Sequence, residues 1–281
     1  MMKRSFVMTA LMIAVIIIAI AIAILRSSMQ STLPMSYVNK LKELLINGSF
    51  TATYNRSFME TIKTSYGYQR TAQCNETMQY GIGSINDGRI FINTEETSCM
   101  PSNIPILPTV ELAYWTNGTS MCFAVYSMVN NRSEGTINCY PPGTYPLLRV
   151  FMPFNEFLGN ATFNLVTSGY SANYSVITYI HYVNTTKWNG QATYCFQVIS
   201  NITLSQSVAQ GYSNIAILTS LTCLLPNGLP AITIFNETVI TKSSSSAVTY
   251  TIMQGRSELI NYTLNYFNTT AFNELISKIR S

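Results

Sequence analysis

Six cysteines carry the most direct chemistry in this chain: Cys74, Cys99, Cys122, Cys139, Cys195 and Cys223. They could bind zinc as thiolates or close as disulfides. Zinc sites use closely spaced Cys-x-x-Cys pairs with further Cys or His. No such pair exists, and the lone histidine, His181, has no cysteine nearby. An even set of cysteines in an exported chain reads as three disulfides. A local repeat selects the pairing. Trp115 to Ser127 and Trp188 to Ser200 both run Trp, Asn-Gly, then a strand opening with Cys-Phe-x-Val. The second cysteines also match, since Cys139 precedes Pro141-Pro142-Gly143 and Cys223 precedes Pro226-Asn227-Gly228. Each unit reads as a turn, a strand, a loop and a returning strand. Facing residues on adjacent antiparallel strands lie within disulfide reach. The expected bridges are therefore Cys122–Cys139 and Cys195–Cys223, with Cys74–Cys99 by elimination.

Asparagine supplies the second chemistry. Asn-x-Ser/Thr acceptor sites for N-glycans occur at Asn47, Asn55, Asn75, Asn117, Asn131, Asn160, Asn173, Asn184, Asn201, Asn236, Asn261 and Asn268. Chance placement of the chain's 25 Asn among its 61 Ser and Thr would give about five such sites. The excess reads as widespread glycosylation, which requires the chain after residue 26 to face outside.

Catalytic arrangements are not evident. Gly-x-Ser-x-Gly, P-loop, His-Glu-x-x-His and dinucleotide fingerprints are all missing. His181 lacks an evident nucleophile and orienting partner. Glu95 and Glu96 are strand neighbours whose side chains point to opposite faces, so they do not converge for glycoside chemistry and read as solvated charges. The expectation is a non-enzyme with no catalytic residue, no metal and no cofactor. Trp115, Trp188 and the apolar stripe holding Phe151, Phe154 and Phe157 are the candidates for a ligand cavity. Core packing is their default role.

The 281 residues are 47% hydrophobic and only 10% charged, against about 25% charged for soluble domains. With 12% aromatic residues, the chain is not disordered. Lys3, Arg4 and Arg26 supply most of the +4 net charge, and no basic block remains for nucleic acid. Residues 6–25 form an apolar run long enough to span a membrane. The reading is a cytoplasmic stub (1–5), a single transmembrane anchor (6–25), a linker (26–35) and one extracytoplasmic domain (36–281). Two alternatives stay open. Ala21-Ile22-Ala23 fits a small-x-small signal cleavage site, and Lys3-Arg4-Ser5 looks like the signal of archaeal pilin-type proteins.

Beyond the anchor, Ser36 to Ile46 has helical spacing of apolar residues. Alternating and β-branched segments then dominate, punctuated by Asn-Gly and Pro-Gly turns. Leu147 to Leu158 reads as a second helix, shortened by Pro153. Ser243 to Ser246 reads as a hairpin loop, and Ile215 to Leu225 as a buried strand. Thr270 is placed to cap a terminal helix with Phe272, Leu275, Ile276 and Ile279 on one stripe. The fold class expected is α+β, mainly antiparallel β.

Three segments carry a family resemblance: Leu41 to Tyr54 (a helix, then NGSFTATY), the Trp-to-Asn-Gly strand starts, and CLLPNGLPAITIFNET from Cys223 to Thr238. Their order resembles the LolA/LppX-like superfamily of lipoprotein and lipid carriers. The resemblance implies a curved, half-open β-barrel that wraps helices around a hydrophobic cavity, over most of residues 36–265. The disulfides, the sequons and the missing lipidation cysteine depart from that family and put lipoprotein trafficking in doubt. Composition and sequon density also look like surface glycoproteins of thermoacidophilic archaea. The expected function is a membrane-anchored glycoprotein with a binding domain for lipid or another hydrophobic ligand, or for a cell-surface protein. The alternative is a structural or adhesive surface or filament glycoprotein without a ligand. With one Asp and eleven Glu, stability is expected to depend weakly on acid pH.

Overall fold

The computed structural model describes residues 34–85, 88–100, 109–116, 120–129, 132–140, 153–167, 170–207, 212–242 and 247–280. The proposed anchor at 6–25 lies outside them. No helix among the described residues is long and apolar enough to cross a membrane.

A helix, α1 (34–46), opens the described chain. Six strands follow: β1 (Phe50–Thr64), β2 (Gln69–Ile85), β3 (Gly88–Met100), β4 (Thr109–Thr116), β5 (Met121–Val129) and β6 (Arg132–Tyr140). A 3-10 turn at Asn155–Leu158 leads to six more: β7 (Ala161–Thr167), β8 (Tyr170–Trp188), β9 (Gln191–Ser207), β10 (Tyr212–Leu224), β11 (Pro230–Lys242) and β12 (Val248–Leu264). Helix α2 (Thr269–Arg280) closes the chain.

All twelve strands form one antiparallel sheet in the order β6-β5-β4-β3-β2-β1-β12-β11-β10-β9-β8-β7. Two six-stranded meanders thus meet at the β1–β12 pair, which runs from Phe50↔Leu264 to Thr64↔Thr249 with one bulge after Thr53. The sheet is open, with β6 and β7 as its edges. It also curls. One buried cluster holds Met121 of β5, Phe196 of β9 and Leu41 and Leu45 of α1. Those two strands are eight positions apart, about 38 Å if the sheet were flat. A helix is only about 10–12 Å across, so both halves reach it only by wrapping around it. The curled, open sheet agrees with the expected class.

Several sequence signals explain the local structure. Asn189 and Gly190 both take positive φ (47° and 79°), as the β8–β9 hairpin turn requires. Gly228 takes φ 96° in the turn where Leu225 N–H bonds Leu229 O. A Cβ on Gly228 would lie 2.5 Å from Leu41 N, so glycine lets α1 rest directly on this turn. Lys40 Nζ donates to Pro226 O at 2.7 Å beside it. At the other end of α1, Arg89 donates to Leu45 O (3.0 Å), a carbonyl the last turn leaves open, and to Gly48 O (2.8 Å) just beyond the helix.

Three expectations change. Within 147–158, the described residues 153–158 hold only the 3-10 turn Asn155–Leu158. Pro153 precedes it, and Phe154 takes a left-handed φ of 58°, which no α-helix continues through. The cap of α2 is Asn268, whose Oδ1 accepts from Ala271 N–H at 3.2 Å, rather than Thr270. Strand β10 is not buried throughout: its inner face is covered at Ser220, Thr222 and Leu224, while Ile217 is exposed on the other face. The Ser243–Ser246 loop lies outside the described residues.

Candidate functional site

The expected disulfides form: Cys74–Cys99, Cys122–Cys139 and Cys195–Cys223. Each joins residues directly opposite in register on neighbouring strands. Cys74–Cys99 belongs to a small cluster with Phe58, Ala72 and Phe235 on the inner face. By strand parity, Cys122–Cys139 shares the outer face with Trp115.

The candidate cavity residues do not converge. Phe157 is fully buried in the central cluster, and Trp188 packs against that cluster. Phe154 meets Tyr54 and Tyr80 edge-on. All three therefore serve the inner, α1 side. Trp115 lies on the opposite face under α2, with its ring 5.2 Å from Phe272. Phe151 lies outside the described residues. The sheet itself separates Trp115 from Trp188, Phe154 and Phe157, so these four do not line one cavity. Alternation alone could not reveal this, because the outer face here is covered by a helix about 150 residues further along the chain.

An aromatic row crosses the inner face. Tyr80, Phe91, Tyr114, Phe123 and Tyr140, on β2 to β6, stack at successive centroid distances of 6.0, 6.0, 6.1 and 6.0 Å. One ring per strand gives that spacing, with Phe91, Tyr114 and Phe123 directly opposite one another and Tyr80 and Tyr140 each diagonal to its neighbour.

Next to it sits a group of ionisable residues that the sequence reading missed. Arg56 pairs with the buried Glu76 at 3.3 Å. Thr97 Oγ1 donates to Glu76 Oε1 at 2.9 Å, and Asn93 Nδ2 donates to Glu95 Oε1 at 2.5 Å. Burial raises the carboxyl of Glu95, with the nearby Glu76 adding to the effect. Glu237 is likewise raised by burial. Glu156, in the 3-10 turn, is pushed up to about 7 by burial, beside Glu237. Burial and the charge of Glu95 push the Tyr114 hydroxyl up to about 12. Glu95 and Glu96 do point to opposite faces, but Glu95 is an inner, desolvated group and only Glu96 is exposed. No group of three or more metal-ligating side chains occurs among the described residues.

A cleft of about 580 Å³ lies on the outer face between α2 and strands β4 to β6. Its walls include Trp115, Ile137, Phe272, Ile276 and the Cys122–Cys139 bridge, and Arg280 stands at its rim. Helix α2 is held by Leu275, buried against Ile90, Ile92, Ala113 and Ala124, and by the Lys278–Glu111 ion pair at 2.5 Å. A groove of about 590 Å³ on the same outer face is polar, lined by Asn55, Ser57, Asn75, Thr77, Arg256 and Glu258 among others.

That groove contains two sequons in antiparallel register, with Asn55 opposite Thr77 and Ser57 opposite Asn75. Ser57 Oγ donates to Asn75 Oδ1 at 2.9 Å. The asparagines at 47, 55, 75, 160, 173, 184, 201, 236, 261 and 268 are all exposed. Asn117 and Asn131 lie outside the described residues.

No family model matches the chain, and no curated protein matches it. Among solved structures, OpdL of Pseudomonas aeruginosa aligns at 7% identity and TM-score 0.24, over 79% of this chain and 100% of its own. Ail, the attachment invasion locus protein of Yersinia pestis, aligns at 8% identity and TM-score 0.22, over 75% and 99%. A LolA superfamily protein from Nitrosomonas europaea aligns at 10% identity and TM-score 0.19, over 85% and 96%. Likenesses at this level carry no functional argument.

Proposed function

We propose that this chain is a membrane-anchored extracytoplasmic glycoprotein whose domain binds a hydrophobic ligand and performs no catalysis. The cleft under α2 is the observation that carries the binding role. Its size falls within the range of about 300–1,000 Å³ usual for small-molecule sites, and apolar and aromatic walls with a few polar groups are typical of them. Arg280 at the rim suits an anionic head group, so the ligand class is a single-tailed acidic amphiphile. Exposed sequons and three disulfides support a location outside the cell.

The test uses indole emission. Trp115 and Trp188 are the chain's only tryptophans, so a Trp188→Phe variant reports Trp115 alone. Titration with 11-bromoundecanoate, whose bromine quenches nearby indole, should give saturable quenching. Arg280→Gln should weaken it about tenfold, a loss of about 1.4 kcal/mol. Absence of quenching would remove the ligand and leave the second reading.

That second reading is a structural or adhesive glycoprotein. The filled inner face favours it, since Leu41, Leu45, Phe157, Leu224, Leu225 and Leu229 are fully buried there.

A further inference from the structure

The outer face of β8 to β11 carries an apolar patch with glycan acceptor sites set into it. Three successive register rows define it. The first is Ile177, Asn201, Ile217 and Thr238; the second is Tyr179, Ile199, Thr219 and Asn236; the third is His181, Gln197, Leu221 and Ile234. Ile177, Tyr179, Ile199, Ile217 and Ile234 are between 38% and 66% exposed. None of the three rows holds a Lys, Arg, Asp or Glu. Single exposed apolar residues are ordinary, but a contiguous group of them marks a surface that something covers.

We infer that the N-glycan on Asn201 is that cover, and that its first sugars pack on Ile177, Ile217 and Tyr179. The inference rests on the glycoprotein reading above. Asn201 is exposed and lies directly between Ile177 and Ile217, each its cross-strand partner. Tyr179 is its diagonal neighbour, because Tyr179 faces Ile199 two residues earlier on β9. Diagonal positions lie about 7–8 Å apart, within reach of an aromatic ring. A pyranose presents an apolar C–H face as well as hydroxyls. Laid on Tyr179 and the isoleucines, it removes their surface from water and keeps its own hydroxyls solvated. Asn236, in the next row, places a second acceptor at the patch margin. A glycan at the centre also blocks docking by a second copy of the sheet, which would otherwise be the obvious occupant of a patch that meets a charge only at its margin, where Arg256 of β12 faces Ile234.

The test is a double-mutant cycle on the full chain made in a glycosylating host. Thr203→Ala destroys the Asn201 sequon and keeps the asparagine, and Tyr179→Ser removes the platform. Mass spectrometry of the Asn201 peptide reads occupancy, thermal melting reads stability, and a hydrophobic-surface dye reads exposure. The expected result is an occupied Asn201 and a Thr203→Ala loss of about 3–6 °C in the Tyr179 background. In the Tyr179→Ser background that loss should fall by at least half. Dye binding should rise with Thr203→Ala and stay level with Ser49→Ala, which removes the distant Asn47 sequon. An occupied Asn201 with additive melting losses would overturn the inference and leave the glycoprotein reading standing. An empty Asn201 beside occupied neighbouring sequons would also overturn it, and the patch would then belong to a self-association face. Vacancy at every sequon would remove the glycoprotein reading and the inference together.

Discussion

Arg56 and Glu76 form an ion pair on the inner face of the sheet, with Nη1 3.3 Å from Oε2 and Glu76 only 8% exposed. The guanidinium also lies over the rings of Phe58 and Phe235, 4.7 and 4.2 Å from their centroids. Removing one partner of such a pair strands the other charge, which is costlier than the pair itself is worth. Arg56→Met should destabilise the domain by about 3 kcal/mol, lowering Tm by roughly 6–12 °C. The double variant Arg56→Met with Glu76→Leu should recover most of that loss. A single-variant loss below about 1 kcal/mol would show that water reaches the pair.

The same inner face sets an acid dependence with a definite sign. Glu156 is raised to about 7, and Glu95 and Glu237 are raised as well. A carboxyl raised on folding binds its proton more tightly in the native state. Its stabilising contribution is therefore complete below the unfolded value near 4.3, and is lost as pH rises through the folded value. Denaturant unfolding should show stability increasing as pH falls from about 7.5 to 4.5, by on the order of 3 kcal/mol from Glu156. Glu156→Gln should flatten most of that slope. Composition alone leads to a weak dependence on acid, whereas these buried carboxyls predict a gain in stability. Stability falling over this window would contradict the arrangement.

How far the sequence was legible depended on how local each signal was. Cys122–Cys139 and Cys195–Cys223 could be paired because Asn-Gly turns and a repeated Cys-Phe strand set the register within a few residues. Arg56, Glu76, Glu95 and Glu237 could not be placed inside. Their desolvation arises on the inner face, where strands distant in sequence come together beside Phe58 and Phe235, and strand alternation does not say which face becomes the interior. Trp115 misled for the converse reason. Both faces of β4 are buried, the outer one by α2, so alternation gave it no distinct address.

The Cys122–Cys139 bridge ties the edge strand β6 to β5. The other two bridges join strands inside the sheet. Replacing both residues of the edge bridge with serine should cost about 2–4 kcal/mol, but the loss should begin locally. Amides of β6 should exchange hydrogen faster, through sub-global opening, while those of β1 and β12 follow the global stability. Uniform acceleration across all twelve strands would mean that β6 opens only with the whole sheet. Non-reducing peptide mapping of the unaltered protein should recover all three pairs.

Helix α2 is seated on glycines, and the cleft depends on that seat. A Cβ at Gly135 would lie 2.8 Å from Ile279 Cγ1, and one at Gly83 would lie 2.5 Å from Phe267 Cβ. Gly135 thus admits the last turn of α2, and Gly83 admits the segment leading into it. Gly135→Val forces Ile279 away from the sheet, an overpacking cost of about 1–3 kcal/mol. Trp115 reports the consequence directly, since it packs edge-on against Phe272 of the same helix. In the Trp188→Phe background, Gly135→Val should shift Trp115 emission to the red and abolish quenching by 11-bromoundecanoate. Far-UV circular dichroism should keep the sheet signal, because the twelve-stranded ladder does not require α2. An unshifted Trp115 would mean that Ile279 yields by changing rotamer, leaving α2 and the cleft in place.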